Sequence, residues 1–110
     1  MYTVEVDEAK LEEIVRRIVE VADPDRIILF GSRARGDVHM QSDVDLLVVK
    51  DSSLSHYKRV GPLYVSLFGI DVPIDILWYT PTEVAQWAGA INHVIARALR
   101  EGRVLYERRN

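Results

Sequence analysis

Ile27-Ile28-Leu29-Phe30-Gly31-Ser32, followed after ten residues by Asp43-Val44-Asp45-Leu46-Leu47-Val48, is the most informative part of this chain. The first apolar run is short and rich in branched side chains, which suits a buried strand, and it stops abruptly at a glycine. The second opens with two aspartates two residues apart. On a strand, that spacing turns Asp43 and Asp45 to one sheet face and Val44, Leu46 and Val48 to the other. Two carboxylates this close repel each other unless a cation neutralises them, and hard oxygen donors favour Mg²⁺ or Mn²⁺. Magnesium seldom has an all-protein cage; it usually combines one or two carboxylates with substrate phosphates and water.

Gly31 permits close backbone approach, and Ser32 offers an N–H and a hydroxyl to phosphate oxygens, with a helix dipole added if it opens a short helix. Arg33 and Arg35 supply positive charge in the same segment, in the guanidinium form best matched to phosphate. The residues do not say which of the two points inward. The polar stretch between Ser32 and Gln41 reads as a loop or short helix.

A third acid is expected on a third strand, read over Val72 to Tyr79, where Asp71 and Asp75 compete. Four residues apart, they lie roughly 13 Å from each other on an extended chain, so they cannot share one metal centre. Asp75, between Ile74 and Ile76, is the expected member, because an unpaired carboxylate in an apolar run is costly. Asp71, beside the Gly69-Ile70 turn, is expected to be solvated.

The flanks complete an α/β (α+β) pattern. From Asp7, a candidate cap, Leu11, Ile14, Val15, Ile18 and Val19 follow the i, i+3, i+4, i+7, i+8 template of an amphipathic helix that ends before Asp23-Pro24. Tyr57, Val60, Tyr64, Leu67 and Phe68 keep helical spacing, with Pro62 either kinking that helix or marking the first turn of a shorter one. Thr80-Pro81-Thr82-Glu83 is a capping box with proline at the first helical position. Ile91, Val94, Ile95, Ala98 and Leu99 carry the helical pattern to Gly102, a candidate C-cap, with Gly89 as a candidate break. A short strand at Val104-Leu105-Tyr106 closes the chain. The whole of 1–110 reads as one domain, a small mixed sheet flanked by helices.

Composition narrows the function classes. Among 110 residues, 14 are basic and 17 acidic, a net charge of −3, so no global field draws the chain to nucleic acid or an anionic membrane. Cysteine is absent, which removes disulfide scaffolds, thiol nucleophiles and Cys-ligated zinc. No basic leader or long apolar run is present, which points to a cytoplasmic protein without a membrane partner. His39, His56 and His93 lack metal-ligand spacing and read as surface or cap residues, while Trp78, Trp87 and the tyrosines read as core. No Gly-x4-Gly-Lys-Ser/Thr loop occurs, and Arg35-Gly36-Asp37 is too short a tripeptide to support an adhesion role.

An isolated Asp-x-Asp is commonplace; its conjunction with the preceding Gly-Ser strand end and a later strand acid is not. That conjunction resembles the signature of the nucleotidyltransferase superfamily that includes DNA polymerase β and kanamycin nucleotidyltransferase. It is most similar to the minimal, MntA-like nucleotidyltransferases, over nearly the whole chain. The resemblance implies the nucleotidyltransferase fold, with Gly31 and Ser32 binding the nucleotide triphosphate and Asp43, Asp45 and Asp75 serving as catalytic residues and ligands of two Mg²⁺ ions. It further implies ATP as substrate, AMP as the transferred group and Asp75 as the base. Minimal members pair with a helical HEPN-domain toxin, which the antitoxin adenylylates on tyrosine, and 110 residues leave no separate acceptor domain. Two alternatives stand beside this: a non-catalytic nucleotide-binding antitoxin that acts by contact, and a transferase for RNA 3′ ends or small hydroxylated molecules. The acidic balance weighs against independent nucleic-acid binding.

Overall fold

The structure, a computed structural model, describes residues 8–31 and 43–109. In chain order the elements are α1 (Glu8–Ala22), β1 (Arg26–Phe30), β2 (Val44–Val49), α2 (His56–Ser66), β3 (Ile74–Tyr79), α3 (Pro81–Trp87), α4 (Val94–Glu101) and β4 (Arg103–Glu107). The strands form one sheet in the order β3-β2-β1-β4. β1 runs antiparallel to β2 and β4, whereas β2 and β3, joined through α2, are parallel.

Both central strands are covered on both faces, which explains their continuous apolar runs. Ile27, Leu29, Val44, Leu46 and Val48 face a core closed by Leu11, Ile14 and Ile18 of α1 and Leu63 of α2. Ile28, Leu47 and Val49 face a second core closed by Val84 of α3 and Ile95 and Ala98 of α4. The face shared by Asp45 is therefore apolar beyond its first residue, and the site sits at the open end of that second layer.

β3 is an edge strand, and its outward backbone donors are met by side chains rather than by another strand. Ile76 N–H donates to the Tyr64 hydroxyl (2.8 Å), Trp78 N–H to His56 Nε2 (3.1 Å) and Thr80 N–H to Glu83 Oε1 (2.8 Å). Such pairing blocks edge-to-edge association. The expected capping box is present: Thr80 Oγ1 accepts from Glu83 N–H at 3.1 Å, with Pro81 opening α3. Arg59 is buried beneath it, donating to Leu54 O (2.7 Å), Trp78 O (3.2 Å) and Glu83 Oε1 (2.7 Å). This guanidinium fastens α2 to the end of β3 and the start of α3.

Several local expectations are corrected. The third strand begins at Ile74, not Val72. Pro62 lies inside α2, which excludes the shorter helix starting at it; its missing N–H leaves one helical bond unmade. The apolar spacing in α2 misjudges its inner face: Leu63, Leu67 and Arg59 are buried, while Tyr57 and Phe68 are 85% and 88% exposed. Trp87, expected in the core, is 43% exposed and stacked on His93 at 4.2 Å. His93 caps α4, its Nδ1 accepting from Ile95 N–H at 3.1 Å. Gly102 follows α4 as expected, but with φ −78° rather than a left-handed turn; its role is steric, since a Cβ there would meet Ile28 Cγ2 at 2.5 Å and also the Ala98 carbonyl. The candidate cap Asp7 lies outside the described residues. Among the described residues, no helix is long and apolar enough to cross a membrane.

Candidate active site

Antiparallel pairing places the C-terminal end of β1 and the N-terminal end of β2 at the same end of the sheet, and the parallel β2–β3 pair brings the start of β3 there too. Asp45 is opposite Phe30 in one ladder and opposite Asp75 in the other. Neighbouring strands are about 4.8 Å apart, so Asp45 and Asp75, in register on one face, are side by side. Asp43 precedes β2 by one residue and lies further along the same edge. Register, which no local pattern reveals, is what selects Asp75.

Asp75 is exposed on the edge strand, so it escapes the desolvation expected from Ile74 and Ile76. The partly buried carboxylate is Asp45, whose pKa lies above the usual aspartate range because of burial first, then repulsion from Asp75 and from Asp43. Asp71 is exposed, as expected, but ion-paired to Lys10 at 2.7 Å, which holds its pKa below the usual range through that hydrogen bond and its charge.

Gly31 has φ +76°, a conformation glycine adopts freely and other residues resist. A Cβ at this position would come within 2.5 Å of Asp45 Oδ2. The glycine therefore serves both the turn and the space that Asp45 occupies. Ser32, Arg33, Arg35 and His39 lie outside the described residues.

Beside Gly31 and Asp45 is a pocket of about 220 Å³, completed by Phe30, Val94, Arg97 and Glu101. Arg97 and Glu101 escape sequence reasoning because on an amphipathic helix they look like an ordinary solvated face. Only the seat of α4 against β1 brings them to the pocket beside Asp45.

Among the described residues, no three carboxylate or imidazole groups are gathered into a ready-made metal cage. The donor set still matches a cation that takes one or two carboxylates and draws its remaining ligands from phosphate and water. Asp45, already carrying uncompensated repulsion from two neighbours, is the group with most to gain from such a cation.

A family model, nucleotidyltransferase domain, matches residues 8–105. The chain belongs to the nucleotidyltransferase domain family and is an enzyme of the nucleotidyl-transfer class. Solved structures share its fold. A candidate nucleotidyltransferase from Sulfolobus solfataricus has a TM-score of 0.63 at 22% identity, over 89% of this chain and 78% of the other. A toxin–antitoxin structure with AMP-PNP has a TM-score of 0.64 at 19% identity, over 88% and 73%. A mutant MntA-HpeT toxin–antitoxin has a TM-score of 0.60 at 18% identity, over 94% and 75%. No curated protein matches the chain.

Proposed function

We propose that this chain is an antitoxin that transfers AMP from ATP to a hydroxyl, with tyrosine as the expected residue, on a HEPN-domain toxin. The observation carrying this reading is the in-register pairing of Asp45 with Asp75 beside the positive-φ turn at Gly31. The family match supplies the reaction class. The shared fold of two toxin–antitoxin structures, one of them with AMP-PNP, supports the partner and the nucleotide.

In this reading Asp43, Asp45 and Asp75 would hold two Mg²⁺ ions, with phosphate oxygens and water supplying the remaining ligands. Bound there, the ions would lower the acceptor hydroxyl's pKa and offset charge on the leaving oxygen. Gly31 and Ser32 would bind the triphosphate, the glycine turn admitting close backbone approach. Arg33 and Arg35 add guanidinium charge to the same segment. The acceptor oxygen forms its bond to the α-phosphorus as the α-phosphorus–oxygen bond to pyrophosphate breaks, and Asp75 takes the hydroxyl proton. Asp75's exposure suits it to this role, because a macromolecular acceptor has to reach it from outside.

Incubating the chain with ATP, Mg²⁺ and its HEPN-type toxin should raise the toxin's mass by one AMP for each hydroxyl modified. No mass gain, with both proteins folded and bound to each other, would overturn the transferase reading and favour neutralisation by contact.

A further inference from the structure

The strand order sets Asp45 between two unlike surroundings. On its β3 side is the exposed carboxylate Asp75; on its β1 side are Gly31 and the pocket roofed by α4. In-line displacement requires the attacking and leaving oxygens on opposite sides of the phosphorus. With the acceptor activated on the Asp75 side, the leaving group is directed to the Gly31 side.

α4 is held firmly above that side. Its small residues Ala96 and Ala98 are buried, and Gly102 leaves room for Ile28 at the helix end. Val94, Arg97 and Glu101, spaced i, i+3, i+7, consequently share the face that borders Gly31 and Asp45. Arg97 is exposed, makes no ion pair among the described residues, and is the one basic side chain among the described residues lining this pocket. The partly buried carboxylate Asp45 borders the same pocket, so among the described residues lining it Arg97 is the side chain whose charge attracts a polyanion.

We propose that Arg97 binds the β- and γ-phosphates of the nucleotide and stabilises the departing pyrophosphate. The inference rests on the nucleotidyl-transfer reading and assigns it a residue on a helix distant in sequence from the Gly-Ser turn. A planar guanidinium accommodates two phosphate oxygens at once, which a lysine ammonium cannot match.

Calorimetric titration of the full chain with Mg²⁺ present would test it, using ATP, pyrophosphate and AMP as probes. Arg97→Gln should weaken ATP and pyrophosphate binding about tenfold or more, the usual scale for losing a charged hydrogen bond, and leave AMP binding unchanged. Arg97→Lys should recover only part of the loss, and thermal melting should be the same for all three proteins, since Arg97 is exposed. Equal affinities for ATP in the unsubstituted and Arg97→Gln chains would overturn the inference while leaving nucleotidyl transfer intact. A parallel loss for AMP and ATP would also overturn it. If the unsubstituted chain bound none of the three probes, both the inference and the reading beneath it would fail.

Discussion

Replacing Gly31 with alanine tests the site geometry through an added methyl group alone. The new Cβ would stand 2.5 Å from Asp45 Oδ2, against the 3.4 Å at which ordinary contact begins, so the carboxylate has to retreat by about 0.9 Å. A displacement of about 1 Å at reacting groups costs roughly a hundredfold in rate. The φ of +76° adds left-handed strain of about 1 kcal/mol for a residue with a Cβ, equivalent to about 4 °C in a domain of this size. Gly31→Ala should therefore fold, melt a few degrees lower, and lose about a hundredfold in AMP transfer to the partner, read by radiolabelled ATP. A double-mutant cycle on stability separates the causes: Asp45→Ala in the Gly31→Ala background relieves the steric clash and leaves the backbone strain. Transfer at the parental rate in folded Gly31→Ala would refute the packing of Asp45 against this turn.

Other outcomes follow from the same geometry. Asp45 has a raised pKa, so its contribution to stability is fully present below the unfolded carboxylate range and is lost as pH rises through the folded value. At neutral pH without metal, Asp45→Asn should thus stabilise the chain by about 1 kcal/mol, from the Coulomb energy of like charges a strand spacing apart in near-aqueous dielectric. The gain should vanish below about pH 4 in a melting series, where carboxylates are protonated; a destabilised Asp45→Asn at neutral pH would contradict it. Arg59→Ala removes a buried guanidinium that serves two carbonyls and Glu83, and should cost about 3 kcal/mol in urea unfolding. A loss below about 0.5 kcal/mol, the range of ordinary surface changes, would show that α2 is fastened to β3 by other contacts.

Those parts of the molecule written in local pattern could be read from the chain. The Thr80-Glu83 capping box, the α1 stripe and the turn from β1 at Gly31 each depend on residues a few positions apart, and each appears as expected. Period-two spacing is enough to single out Asp43 and Asp45 as candidates. For Asp75 the sequence argument and the structure part company: its environment is solvent rather than core, and it is parallel register that sets it opposite Asp45. Parallel pairing across α2 joins residues thirty positions apart, which leaves no local trace. Arg59 and Arg97 were invisible for a related reason. A charged residue on a helix reads as solvated until tertiary packing shows the carbonyls beneath it or the pocket beside it. The aromatic residues of α2 misled in the opposite direction, because spacing alone does not tell a buried stripe from an exposed one.

Manganese binding followed by electron paramagnetic resonance counts divalent ions at the paired aspartates without needing the acceptor. With a non-hydrolysable ATP analogue present, the unsubstituted chain should bind two Mn²⁺ ions per molecule, and the Asp45→Asn, Asp75→Asn chain should bind neither tightly. Equal binding by the two proteins, both folded, would mean that these paired aspartates do not hold the metal.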